Sequence, residues 1–145
     1  MADKIIEDLE IYLRFVAAGV KDKGREILEN YHVSPPQFVA LQWVSDEKGI
    51  TIGAIAKHMH LAHSTTTDMI DRLEDLELVE RQKDEEDRRV VRVYITPSGE
   101  RVIQEVIDKR RSYMNELLEG LEEDEYHQFL ALMKHMHERM TQVTN

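Results

Sequence analysis

The sequence predicts a mainly α-helical fold carrying one small β-hairpin, and three observations lead to it. Apolar residues recur at spacings of three and four through the first and last thirds of the chain, the period of a helix with one buried face. Between them lie two short helical patterns with a turn of about four residues, the layout of a helix-turn-helix. Directly after the second pattern the period changes to that of strands, with two apolar runs flanking a charged tip.

The elements follow in order. Ile5, Leu9, Tyr12 (with Leu13), Val16 and Val20 form one stripe, so residues 3–30 are predicted as a single helix. His32-Val33-Ser34-Pro35-Pro36 ends it and opens the next helix, with Ser34 as N-cap and proline in the first turn. That second helix carries Phe38, Leu41, Gln42, Trp43 and Val44 and stops near Glu47-Lys48-Gly49. Ile50-Thr51-Ile52 leads into a short helix from Gly53 to His60, and after Leu61-Ala62-His63 comes another from Ser64 to Leu76. The inward face of this last one should be Thr66, Ile70 and Leu73.

Leu78-Val79-Glu80-Arg81-Gln82 and Val90-Val91-Arg92-Val93-Tyr94-Ile95 read as strands joined by the polar run 83–89. A hairpin directly behind a helix pair is a wing. Thr96-Pro97-Ser98-Gly99-Glu100 then opens a long helix with Thr96 or Ser98 as cap. Along it Ile103, Ile107, Arg110, Met114, Leu117 and Leu121 form a near-heptad seam, and beyond Gly120 a final helix carries Phe129, Met133, Met136, Met140 and Val143 on one face. The expected organisation is a single domain, 1–145, with a winged helix-turn-helix part over 50–96 and dimerisation helices over 1–30 and 98–145. The terminal helices are more apolar along one side than a lone helix satisfies, so they pack within the chain or, more simply, against a second copy in a homodimer.

Composition sets limits. The 145 residues suffice for a real core, and 41% apolar with 33% charged residues is ordinary for a helical protein. No apolar run approaches the ~20 residues of a membrane span. Residues 1–10, MADKIIEDLE, are acidic where a secretion signal needs basic residues, which points to a cytoplasmic location. The absence of cysteine excludes disulfides, thiolate zinc sites and thiol redox sensing. A net charge of −10 argues against nucleic acid as a partner, unless basic residues are gathered where they are needed.

The helix pair supplies such a place. A helix that reads bases needs short polar side chains at its N-terminus, and His63-Ser64-Thr65-Thr66-Thr67-Asp68 fits. Ser64, Thr65 and Thr67 can bond phosphates or base edges, or else simply cap the helix. Arg88 and Arg89 at the hairpin tip suit a minor groove or phosphates, or else pair locally with Asp84, Glu85, Glu86 or Asp87. Arg72 either reaches phosphate or braces its helix through a salt bridge. Lys57 and Arg92 are secondary phosphate candidates.

These residues resemble the MarR family of bacterial and archaeal transcription regulators. Asp87-Arg88-Arg89 followed by Ile95-Thr96-Pro97-Ser98-Gly99 is similar to the family's D-x-R wing and its L-T-x-x-G entry to the long helix. Thr67 with Asp71-Arg72-Leu73 looks like its T-x-x-x-D-R-L pattern, and Leu78-Val79-Glu80-Arg81 like its L-V-x-R opening of the wing. The resemblance spans essentially the whole chain. It implies a triangular homodimer with interlocked terminal helices, bound to a palindromic double-stranded DNA operator. It further implies a repressor released by a small, often aromatic or phenolic ligand. On that carry-over Arg89 enters the minor groove, Asp87 orients it, and Ser64, Thr65 and Thr67 face the major groove. Two positions depart from the pattern. Glu77 stands where glycine is frequent, so it must accept a left-handed conformation or the turn differs. Asp68 stands where a basic or amide residue is common, so it reads cytosine N4 or pairs with a basic neighbour.

The effector crevice of such proteins would here be lined by Tyr12, Phe15, Phe38 and Trp43, which could equally be plain core aromatics. The seven histidines lack metal-binding spacing: His58 and His60, like His135 and His137, are two apart rather than four, so no metal is assigned. No phosphate loop, nucleophile–base pair or isolated carboxylate pair suggests an enzyme, and no cofactor is expected. A metal-responsive DNA-binding regulator and a winged-helix protein-interaction module remain the alternatives.

Overall fold

The computed structural model describes residues 2–143 and has the expected order of helices with a small antiparallel sheet. The helices are α1 (Ala2–Glu29), α2 (Pro35–Asp46), α3 (Ile52–Met59), α4 (His63–Asp75), α5 (Pro97–Leu117) and α6 (Glu123–Val143). The strands are β1 (Ile50–Thr51), β2 (Val79–Lys83) and β3 (Val91–Ile95). Two compact units result, residues 1–110 and 111–145. Among the described residues no helix is long and apolar enough to cross a membrane.

Local chemistry accounts for most boundaries. Ser34 caps α2 through a complete capping box: its hydroxyl accepts from the Gln37 N–H, and the Gln37 side chain accepts from the Ser34 N–H at 3.0 Å. Thr51 caps α3 by accepting from Ala54 N–H at 3.1 Å. Thr96 caps α5, accepting from Gly99 N–H at 3.0 Å with Pro97 in the first helical position. His60 ends α3 in the left-handed region at φ +55°, which turns the chain toward α4.

Strand β1 goes beyond the sequence pattern. Its two residues pair antiparallel with β3, Ile50 opposite Val93 and Thr51 opposite Arg92, and make β3 the centre of the order β1–β3–β2. The sequence reads Ile50-Thr51 only as an entry to a helix, because a two-residue strand exists solely through its distant partner.

Within residues 1–110 one core gathers the elements. Phe38, Leu41 and Val44 from α2, Ile55 from α3, Ile70 and Leu73 from α4, Val79 and Val93 from the sheet and Val106 from α5 are all essentially inaccessible. The inward face expected for α4 is correct, and Met69 joins it. Helix α1 contributes only Ile27 and Leu28, while Ile5, Leu9, Tyr12, Val16 and Val20 continue the same stripe exposed. In α5 the buried side chain is Val106, at the edge of the expected seam, whereas Met114 and Leu117 on the seam are exposed. Helix α6, in the second unit, leaves Phe129, Met133, Met136 and Met140 exposed.

Candidate nucleic-acid interface

Helix α4 starts differently from its neighbours. Its N-cap is Ala62, which has no side chain to bond the free amides, so Ser64 and Thr65 fall inside the first turn instead of capping it. Both are exposed, as are His63 and, one turn on, Asp68 and Arg72. The helix therefore presents uncapped N–H groups and short hydroxyls together, a favourable seat for phosphate oxygens and base edges. Thr66 is the exception in the run: it is fully buried, and its hydroxyl donates to Ala62 O at 3.0 Å. Thr67 is half-exposed and its hydroxyl donates to His63 O at 3.0 Å, which leaves it a lone-pair acceptor and a methyl group for an incoming base.

The wing is a tied loop. Asp84 N–H donates to Val90 O and Val90 N–H to Asp87 O, each at 2.9 Å, closing the tip. Asp87 forks onto Arg89: Nε donates to Oδ1 at 3.1 Å and Nη2 to Oδ2 at 3.2 Å, and the Arg89 backbone N–H adds a third bond. These bonds, the side-chain one first, hold the Asp87 carboxyl below the usual carboxylate range. The Arg89 side chain remains 91% exposed, so the carboxylate orients it without covering it. Arg88 is exposed as well. Of the carboxylates near the tip, Asp87 is the one that pairs with Arg89, while Asp84 turns to Arg92.

The two parts share a surface. Arg89, Val90 and Val91 from the wing line a groove of 340 Å³ together with His63 at the start of α4 and Thr51, Ile52 and Gly53 at the start of α3. Arg92 lies elsewhere, with Nη1 donating to Gly49 O at 2.9 Å and Nε to Asp84 Oδ1 at 3.3 Å, and so anchors the hairpin. Arg72 does not take Asp71; Arg81 does, at 2.7 Å, a partnership with no local spacing to betray it.

Glu77 adopts the left-handed conformation at φ +62° that its position requires. Its carbonyl accepts from the Thr96 hydroxyl at 2.7 Å, which fixes the joint between α4 and β2. The aromatics behave differently from one another. Tyr12 and Phe15 stand exposed on α1, whereas Phe38 is 1% exposed in the core with the Arg110 guanidinium 4.9 Å from its ring centre. Trp43 stacks on His58 at 4.0 Å, and His58 Nε2 lies 3.0 Å from Glu47 Oε1. Among the described residues no group of three or more His, Cys, Asp or Glu could hold a metal ion.

Known proteins resemble this chain in sequence and fold. The family model described as "MarR family" matches residues 33–91, from the start of α2 into the wing. A MarR family protein of solved structure from Bacillus stearothermophilus is 44% identical, covering 97% of this chain and 99% of that one, with a TM-score of 0.80. The chain belongs to the MarR family. It is also 52% identical over 134 residues to an uncharacterized HTH-type transcriptional regulator of Bacillus subtilis, YsmB, covering 92% of each. Another B. subtilis relative, the HTH-type transcriptional repressor MdtR, is 29% identical across 86% of this chain and 80% of its own length. This MarR-family chain is accordingly a transcriptional regulator and not an enzyme.

Proposed function

We propose that the protein is a homodimeric repressor that places α4 in the major groove and the wing in the minor groove of a palindromic operator. The observation that supports this most is the groove shared by His63, at the uncapped start of α4, and the carboxylate-oriented Arg89. Ser64 and Thr65 then meet phosphates or base edges, Thr67 offers an acceptor and a methyl group, and Asp68 suits a cytosine amino group. Arg89 has the shape and charge for a narrow minor groove, with Arg88 and Arg72 beside phosphates. A cytoplasmic location follows from this role.

Dimerisation is supported by the exposed stripes of α1 and α6, of a length and apolarity that a second copy would cover. A two-fold dimer reads two equal half-sites, which makes the operator palindromic. The name of MdtR favours repression over activation. Release by a small aromatic ligand remains the reading for the effector, with Tyr12 and Phe15 as the available aromatics and Phe38 and Trp43 engaged in packing.

The test uses duplexes that the wild-type protein enriches from a random-sequence pool. Wild-type should bind them with an affinity that falls steeply with salt. The double variant Arg88→Ala, Arg89→Ala should lose affinity at least about tenfold while sedimenting as an intact dimer. Equal affinity of that variant would overturn the wing assignment; no retention of any duplex at low salt would favour a protein-interaction module.

A further inference from the structure

One side chain joins the helix to the wing. Arg81 stands on β2, yet its Nη2 reaches Asp71 Oδ1 at 2.7 Å and Glu74 Oε1 at 2.9 Å, both on α4. The backbone N–H of Arg81 donates to the other oxygen of Glu74 at 3.0 Å. Glu74 is therefore gripped at both oxygens by a single residue, which fixes direction as well as distance. The side chain of Arg81 is only 30% exposed, and across the sheet its partner is the buried Val93. The bond to Arg81 holds the Glu74 carboxyl below its ordinary range, and the same bond holds the guanidinium above its own.

We propose that Arg81 is a positioning residue for DNA recognition: it sets the angle between α4 and the wing and neutralises no phosphate. The inference rests on the DNA-binding reading above and deepens it. A basic residue beside the interface is ordinarily taken for a phosphate contact, and here two carboxylates already satisfy it. Phosphate contacts are visible in the salt dependence, since each contributes about −0.9 to the slope of log affinity against log salt. A residue that acts only by orienting others loses no phosphate of its own, so its removal and the removal of the carboxylate that holds it should shift affinity and slope alike.

The experiment compares wild-type, Arg81→Gln, Arg81→Lys, Glu74→Gln and Arg88→Ala on one duplex enriched by the wild-type protein, below the melting temperature of each. Both Arg81 variants should bind about tenfold or more weakly and share the slope of Glu74→Gln, because lysine keeps the charge but not the planar guanidinium whose Nη2 spans Asp71 and Glu74. Glu74→Gln should weaken binding likewise, although it removes a negative charge. Arg88→Ala should make the slope shallower by about 0.9 for each phosphate that the arginine neutralises. Wild-type affinity in Arg81→Lys, with a reduced slope in Arg81→Gln, would make Arg81 a phosphate contact and overturn the proposal. Folded Arg81 and Glu74 variants with wild-type affinity would overturn it as well, leaving the clamp a purely structural one. Should Arg81→Gln fail to fold, Arg81→Lys and Glu74→Gln decide alone. A wild-type protein that retains no duplex refutes the DNA-binding reading itself, a result separate from either of these.

Discussion

The reading helix and the wing sit side by side but are held by opposite means. Under α4 lie Thr66, Ile70 and Leu73, all inaccessible to solvent, with Met69 beside them. Beyond Lys83 and Val91 the wing has no such layer, and its shape comes from the bonds among Asp84, Asp87, Arg89 and Val90. Salt screens exposed charged ties but does not screen apolar packing. A rigid helix and an adjustable arm follow. On the proposed function, the helix would impose register on DNA and the wing would yield to local groove width.

The contrast between helix and wing is broken most severely from beneath. Leu73→Ala removes a fully buried side chain at the floor of α4 and should cost about 2–5 kcal/mol of stability. Chemical denaturation at fixed protein concentration measures this, and a loss under about 1 kcal/mol would show that α4 is not core-supported. Next comes the joint. A Cβ on Gly99 would meet the Leu78 carbonyl oxygen and lie 2.7 Å from Ile95 Cγ1. That carbonyl accepts from Thr96 N–H at 3.0 Å, so it cannot give way freely. Gly99→Ala should therefore cost about 1–3 kcal/mol and disturb the angle at which the wing leaves α4. Thermal melting reads the first effect, operator affinity the second.

A smaller change touches the wing alone. Asp87→Asn keeps the shape of the side chain and weakens the fork on Arg89. Stability should not change measurably, because both groups are exposed, while operator affinity should fall up to about fivefold. The pH dependence has a definite sign. Arg89 lowers the Asp87 carboxyl, so the tie is complete above about pH 4, its ordinary range. It is lost only as pH falls through that lowered value. Between pH 6 and 8 this pair should contribute no change in affinity, and a marked change there in wild-type but not in Asp87→Asn would contradict the assignment.

What the sequence disclosed follows the range of the interactions involved. The spacing of Thr66, Ile70 and Leu73 gives the buried face of α4, and the caps Ser34 and Thr96 act on residues three positions away. The wing was legible because charge and β-branching alternate locally, and Asp87 lies two residues from the arginine it orients. Contacts between elements were not legible. Arg92 looks like a phosphate candidate and instead bonds Gly49 O, 43 positions away. Arg81 reaches ten residues back to Asp71, a spacing that leaves no local signature in the sequence. Trp43 and Phe38 share the aromatic character of a ligand crevice, and only the fold shows one stacked on His58 and the other enclosed.

The smallest expected effect lies where helix and wing meet, at Glu77. Its φ of +62° is a conformation that costs a residue with a Cβ roughly 1 kcal/mol, and glycine nothing. The ties at this turn involve no side-chain atom of residue 77: the Glu77 carbonyl accepts from the Thr96 hydroxyl, and Leu78 N–H donates to Leu73 O at 3.0 Å. Glu77→Gly keeps both. It removes the local strain but also loosens the unfolded chain, so the net gain should be about 0.5 kcal/mol. Operator affinity should stay the same, because Arg81 and Thr96 still fix the angle across the joint. If affinity fell instead while stability rose, the stiffness of Glu77 itself would be orienting the wing, and the clamp at Arg81 would be sharing that task.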